Sequence, residues 1–219
     1  MEMETREVIV DSAGVPLPAF LTRPAGSRGL VIFVHGSGSS RFSTRNRFVA
    51  DLLARAGLAT LLFDLLTEEE GRLDAITAEL RFDISLLTER TMGTLDWVAA
   101  ELEFGPPGLF GASTGAAAAL GAAAMRPDGV AAVVSRGGRP DLAIPLLPRV
   151  EAPTLFIVGE LDTVVLELNR KAAAVMRAPW ELAIVPGATH LFEEPGTLEQ
   201  AAGLARDWFL RHLLPEATG

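Results

Sequence analysis

Gly111-Ala112-Ser113-Thr114-Gly115 decides how the rest of the chain is read. A short apolar run, Leu109-Phe110, precedes it, and Ala116 to Ala119, Leu120 and Gly121 to Met125 follow it. The pattern is strand, sharp turn, helix. A serine between small residues at this spacing is the signature of a nucleophile elbow. The turn is so tight that the serine backbone sits in an unfavourable conformation, and glycine on either side leaves room for it. The hydroxyl is thereby lifted above the sheet edge. The N-terminus of the following helix points at it, with free N–H groups and a positive dipole end that suit an oxyanion. Taken alone, five such residues also describe a plain Ala/Gly-rich turn. The rest of the chain decides between the two.

Composition narrows the classes. The 219 residues fit one domain with a sizeable core, and 1–219 is read as a single domain with no second one. Hydrophobic residues make up 49% and charged residues 21%, a globular balance. No apolar run is long enough to span a bilayer. The N-terminus, Met1-Glu2-Met3-Glu4, is acidic where a secretory signal would be basic and then apolar, so a cytoplasmic protein is expected. The absence of cysteine excludes disulfides, thiolate metal sites and a cysteine nucleophile. Three histidines without a His-x-x-x-His pair argue against zinc, and no cofactor or metal is expected. A net charge of -9 argues against nucleic acid and anionic membrane as partners.

Working outward, Glu7 to Asp11 and Pro16 to Leu21 read as an antiparallel hairpin at a sheet edge, where two prolines are tolerated. Leu30 to Val34 and Ala59 to Phe63 are continuous apolar runs, as in central strands covered on both faces. A helix from about Thr44 ends at Gly57. Asp64 to Asp74 reads as a polar loop, with Glu68-Glu69-Glu70 solvated. Asp83 caps a long amphipathic helix that Pro106-Pro107 stops. Past the elbow helix come a strand Val130 to Val134, a loop and short helix from Arg136 to Val150, and a strand Thr154 to Val158. A helix Val164 to Met176, a strand Leu182 to Val185 and a final helix from Thr197 complete the chain. Strands alternating with helices give an α/β fold with a mostly parallel sheet and helices on both faces.

In such sheets functional groups collect past the carboxyl ends of the strands. The residues there are Ser37, Asp64, Ser113, Arg136, Asp162 and His190. Ser113 is the candidate nucleophile, which at neutral pH needs an adjacent base. Imidazole titrates in the right range to be that base. His190 lies in the loop after the last strand. His35 is read as bonding the backbone of its own loop, and His212, beside Arg211 on the terminal helix, as exposed. Asp162 is the candidate acid that orients His190, with Asp141 and Glu160 as alternatives. Asp64 is read as capping or pairing with an arginine. Arg136 and Arg139 sit at the same edge, where they would hold a substrate carboxylate or pair with Asp141 or Glu160.

The order Ser, Asp, His is that of the α/β-hydrolases, and the chain resembles that fold over nearly its whole length. It is most similar to small capless members of the dienelactone-hydrolase-like group. The resemblance rests on His35-Gly36-Ser37-Gly38, Gly111 to Gly115, Gly159-Glu160-Leu161-Asp162 and Ala188-Thr189-His190-Leu191-Phe192. Val134 to Asp141 also looks like a hydrolase domain found joined to phosphoribosyltransferase domains. Dienelactone hydrolases carry cysteine where this chain has Ser113, which favours ordinary esters over dienelactone. The resemblance implies a Ser113-Asp162-His190 triad and an oxyanion hole from the Ser37 and Thr114 N–H groups, with Gly36 and Arg136 contacting substrate. The expected activity is hydrolysis of small short-chain carboxylic esters through an acyl-enzyme. Acyl transfer, perhydrolysis, lactone hydrolysis and a non-catalytic module with a vestigial triad are the alternatives. A small ester is the expected partner, and self-association is left open.

Overall fold

The computed structural model describes residues 2–214. In chain order it has strands β1 (Met3–Ser12), β2 (Val15–Pro24) and β3 (Leu30–Val34), helix α1 (Thr44–Arg55), strand β4 (Ala59–Phe63), and helices α2 (Glu68–Thr77) and α3 (Ile84–Glu101). Strand β5 (Gly108–Ala112), helix α4 (Thr114–Met125), strands β6 (Ala132–Arg136) and β7 (Thr154–Gly159), helix α5 (Thr163–Ala173), strand β8 (Trp180–Val185) and helix α6 (Thr197–Leu213) follow. The strands form one sheet in the order β1-β2-β4-β3-β5-β6-β7-β8. Only the β1–β2 and β2–β4 pairings are antiparallel. The hairpin lies at the edge as expected. Pro16 and Pro18 sit on the part of β2 that precedes its pairing with β4, where no second ladder needs their missing N–H.

The central strands are buried along their whole length because helices cover both faces. Strand alternation divides their side chains between two cores. Ile32, Leu109, Val133 and Phe156 pack with α3, α4 and α5. Phe33, Phe110, Val134 and Ile157 pack with α1 and α6. Each fully buried large side chain contributes about 1.5–3 kcal/mol. An exposed ion pair contributes about 0.2–1 kcal/mol, so these cores hold the sheet that carries the site. Helix α4 is buried on every side from Thr114 to Ala124. Its alanines and glycines let the elbow helix lie close to the sheet on one side and to α3 on the other.

Two expectations are corrected. The stretch read as a polar loop holds helix α2, whose first turn is Glu68-Glu69-Glu70. Thr67 and Glu70 form a reciprocal capping box, and three acidic residues favour the positive helix end. Asp74, near its C-terminal end, is buried against Arg81. Strand β6 runs two residues further than its apolar stretch, to Arg136, because the ladders Ala112↔Arg136 and Arg136↔Ile157 continue on both sides. From Arg136 to Val150 there is no lid. The segment forms short 3-10 turns, Pro140–Ala143 and Leu147–Arg149. It is tied to α5 by Asn169 Nδ2 donating to the Gly138 carbonyl at 3.0 Å.

Candidate active site

Ser113 joins β5 to α4 with φ 52° and ψ -123°, a left-handed conformation that costs a non-glycine residue on the order of 1–3 kcal/mol. The flanking glycines make the turn sterically feasible. A Cβ on Gly111 would lie 2.4 Å from the Ala116 Cα, and one on Gly115 would lie 2.2 Å from the Val34 carbonyl oxygen. The Ser113 N–H donates to the Arg136 carbonyl at 3.3 Å, and its own carbonyl accepts from Arg139 N at 3.0 Å. The serine is thus pinned to the end of the adjacent strand β6.

Asp162 follows β7 and His190 follows β8. The two loops are laced together: Glu160 N donates to the Val185 carbonyl at 3.0 Å and Leu161 N to the Ala188 carbonyl at 2.9 Å. A Cβ on Gly159 would stand 2.3 Å from the Ala188 oxygen, so only glycine lets the loops meet this closely. The result is a 2.6 Å hydrogen bond from His190 Nδ1 to Asp162 Oδ2. The aspartate side chain is 13% exposed and the imidazole 39%. With its Nδ1 proton held by the carboxylate, His190 keeps Nε2 as the free ring nitrogen. Ser113 and His190 line one cleft of about 240 Å³, with Gly36, Ser37, Asn46, Arg136, Gly137 and Leu191. The hydroxyl and the imidazole are not hydrogen-bonded to each other, an arrangement that catalytic groups commonly tighten on binding substrate.

The competing carboxylates are committed elsewhere. Asp141 takes a two-pronged bond from Arg139, both contacts at 2.8 Å. Glu160 accepts from Gly187 N at 2.9 Å. Asp64 pairs with Arg41 and accepts its backbone N–H at 2.6 Å. Among the histidines, His35 is buried, with Nδ1 donating to the Gly36 carbonyl at 2.9 Å and Nε2 accepting from Leu65 N at 3.1 Å. Burial lowers its pKa, so the neutral ring serves as a strut for the Gly36 loop. His212 is half-buried rather than exposed, because its ring packs over Trp208 at 4.5 Å.

Two site expectations change. The Ser37 N–H is not open: it donates to Thr114 Oγ1 at 2.9 Å. Thr114 begins α4 directly across from the loop, and its hydroxyl occupies the donor. An oxyanion reaches Ser37 N–H only when that hydroxyl turns away. Gly36 lies hard against the elbow, where a Cβ would stand 3.1 Å from both the Ala112 oxygen and the Ser113 Cβ. Arg136 pairs with neither Asp141 nor Glu160. Its side chain is on the face of Ala132 and Val134, turned toward α1, with its guanidinium 5.5 Å from the centre of the Phe192 ring. Burial pushes its pKa down to about 10, and Arg45 nearby adds to the shift.

Asn46, Ser43 and Arg45 from the first turn of α1 were not singled out as site residues, yet they line this cleft. The signal for them was faint: a serine that caps a helix following the glycine loop. The α2 segment was also missed as a wall. With Leu65, Leu66 and Arg81 it bounds a larger cleft of about 610 Å³ on the other side of the Gly36 loop. Its signal, Thr67-x-x-Glu70, is legible as a capping box.

A model of the dienelactone hydrolase family matches residues 17–210. The chain belongs to the dienelactone hydrolase family. A crystal structure of dienelactone hydrolase from Anabaena variabilis is similar to it, at 51% identity and TM-score 0.93, over 97% of this chain and 100% of that one. Est1E from Butyrivibrio proteoclasticus shares the fold at 18% identity and TM-score 0.78, over 94% of this chain and 98% of that one. Two proteins from Mycobacterium tuberculosis strains, both named as phosphoribosyl transferases, are 57% identical over 213 residues. That alignment covers 96% of this chain and 47% of theirs, so this member of the dienelactone hydrolase family spans about half their length. The family and fold are those of a hydrolase. Among the described residues no helix is long and apolar enough to cross a membrane.

Proposed function

We propose that this chain is a serine carboxylic ester hydrolase acting through an acyl-enzyme. The observation that carries the reading is the Asp162–His190 hydrogen bond at the cleft that also holds Ser113 in its elbow. Ser113 Oγ attacks the ester carbonyl as His190 Nε2 takes its proton. The tetrahedral oxyanion turns toward the Thr114 N–H at the α4 N-terminus, and toward Ser37 N–H once the Thr114 hydroxyl rotates. The alcohol leaves with the proton from His190, and water then resolves the acyl-enzyme by the same route. Asp162 holds the imidazole and offsets its positive charge. An imidazole 39% exposed lies within reach of solvent, which favours water over another alcohol as the second nucleophile. We assign no phosphoribosyl transfer to the cleft, whose groups are those of acyl chemistry. We read 1–219 as one hydrolase domain, and its acidic, cysteine-free composition supports a cytoplasmic setting. A burst of p-nitrophenol from p-nitrophenyl acetate, absent in Ser113→Ala, tests the reading. Tight ester binding without turnover by the wild type would favour a vestigial site.

The substrate is expected to be small. At a liquid share of about 30 Å³ per water, a cleft of about 240 Å³ holds about eight waters. Each buried methylene contributes about 0.8 kcal/mol, or about fourfold in kcat/KM, until the chain leaves the cleft. Along a p-nitrophenyl ester series, kcat/KM should therefore peak between acetate and butyrate and fall by octanoate. No rate jump is expected at the micelle threshold, because no lid opens. A preference for octanoate or longer would mean that the acyl chain uses the larger cleft beside α2.

A further inference from the structure

The imidazole of His190 is 39% exposed, so packing alone does not hold it. The Asp162 bond sets the direction of Nδ1 but leaves the backbone beneath the ring free to shift. Gly137 backs the residue closely, since a Cβ there would lie 3.2 Å from the His190 carbonyl oxygen and 3.6 Å from Nδ1. Among the described residues, the last backbone bond from this loop to the β7 loop is at Ala188, whose carbonyl accepts the Leu161 N–H. The base itself lies two residues beyond that point.

The turn that carries His190 is strained and closed on itself. Phe192 N donates to the Thr189 carbonyl at 3.3 Å, which makes His190 and Leu191 the two middle residues. Phe192 has φ 55°, a left-handed conformation that a bulky side chain rarely adopts, and its ring is buried in the core beside α6. Such strain persists only where the surroundings over-determine the backbone. Glu194 supplies a constraint from beyond the turn. Its carboxylate accepts twice from Thr189, from the N–H at 3.1 Å and from the hydroxyl at 2.5 Å. Bonding to that hydroxyl and N–H holds the Glu194 carboxyl below the usual carboxylate range, so it accepts both bonds as the anion. The Glu194 carbonyl in turn accepts the Thr197 N–H at 3.1 Å and the Thr197 hydroxyl at 2.7 Å, at the start of α6. Glu194 therefore ties the first residue of the histidine turn to the first turn of α6. Its neighbour Glu193 contacts Arg45 instead, at 3.4 Å.

We propose that Glu194 is a positioning residue for the base: its carboxylate clamps Thr189, and the clamp keeps His190 Nδ1 on Asp162 and Nε2 presented to the cleft that holds Ser113. The proposal rests on the hydrolase reading and deepens it. A general base works only within hydrogen-bond reach of the proton it takes, and a misplacement of about 1 Å costs on the order of 10²-fold. A half-exposed ring gains little placement from its own packing, so the backbone must set where it stands. Two charge-assisted bonds from one planar carboxylate fix both the position and the tilt of the Thr189 peptide, and His190 is the next residue. Released from the clamp, the turn relaxes toward an ordinary φ at Phe192 and carries the imidazole off Asp162. Glu194 acts on the reaction only through His190.

Turnover and the state of the imidazole are measured separately. The kinetic arm uses p-nitrophenyl butyrate with wild type, Glu194→Ala, Thr189→Val, Thr189→Ser, the double variant Glu194→Ala/Thr189→Val, and Glu193→Ala as a charge control. Glu194→Ala should lower kcat about tenfold or more, with KM within about twofold and the melting temperature within about 4 °C of wild type. Thr189→Val should lower kcat less, since it keeps the N–H bond, and Thr189→Ser, which keeps both donors, should match wild type. The double variant should be no slower than Glu194→Ala, because both changes break one contact. Glu193→Ala should stay within about twofold. The spectroscopic arm reads the His190 tautomer by two-bond ¹H–¹⁵N correlation, at a pH where the ring is neutral. Wild type should show the proton on Nδ1, and Glu194→Ala a mixture of the two tautomers. Wild-type kcat in Glu194→Ala overturns the clamp, as does an equal loss in Glu193→Ala or full additivity in the double variant. A rise in KM with the tautomer unchanged makes Glu194 a substrate contact instead. A large loss of melting temperature, with kcat not restored in Thr189→Ser, is the pattern of a merely structural residue and also overturns it. Ester turnover by wild type with a tautomer and kcat indifferent to Glu194 rejects the clamp and leaves the hydrolase reading standing. A Glu194-dependent tautomer in a wild type that turns over no ester keeps the clamp and rejects the hydrolase reading.

Discussion

Replacing Ser113 by alanine is expected to abolish ester hydrolysis, by about 10⁴-fold or more in kcat, with the fold unchanged. The change removes one hydroxyl and keeps the Cβ, so an elbow that tolerates serine at φ 52° tolerates alanine. Two measurements together make the result decisive. Steady-state turnover of p-nitrophenyl acetate should fall to the level of the oxyanion donors alone, and the melting temperature should stay close to that of wild type. Ser113→Gly should be equally inactive but more stable, by about 1 kcal/mol, because glycine adopts a positive φ without the penalty that serine carries. A folded Ser113→Ala protein that keeps most of its activity would show that the nucleophile lies elsewhere.

Asp162→Asn is the second large effect. An asparagine there still reaches His190 Nδ1, but its amide can present N–H in place of an acceptor. The imidazole then loses both its tautomer and the charge that steadies the imidazolium. A fall in kcat on the order of 10⁴-fold is expected, with KM little changed, since Asp162 orients the base and does not bind the ester. The control is Asp141→Asn, which breaks the Arg139 contacts and leaves the 2.6 Å Asp162–His190 bond in place. Its effect on kcat should stay within a few-fold. If Asp141→Asn proves the more damaging change, the acid comes from the turn after β6 and Asp162 is not the residue that orients the base.

Much of this architecture is local in origin, and so it was legible early. The apolar runs Leu30 to Val34 and Ala59 to Phe63 are strands with those bounds because residues buried on both faces have no polar alternation to blur. Asp83 caps α3 by accepting from Leu86 N, a bond formed three residues along the chain. Where the reading fell short, a local signal was weak or outweighed. Ser135 and Arg136 look like loop residues by composition, yet the neighbouring strands carry the ladder through them. Three consecutive glutamates read as part of a solvated loop; Glu68 and Glu69 are exposed as expected, but the run starts a helix once Thr67 caps it.

The sequence by itself determined the α/β alternation, the glycine-flanked serine turn, and the order in which serine, aspartate and histidine leave their strands. Each follows from side-chain size, periodicity or turn chemistry within a few residues. Tertiary structure alone decided which charges have partners. Arg41 meets Asp64 across 23 residues, Ser37 N meets the Thr114 hydroxyl across 77, and Asp162 meets His190 across 28. Arg136 meets no carboxylate at all among the described residues. The physical reason is that a hydrogen bond or ion pair depends on where a folded sheet edge delivers two distant side chains. No spacing along the chain encodes that position, and burial sets the cost of leaving a charge alone only after the chain has packed.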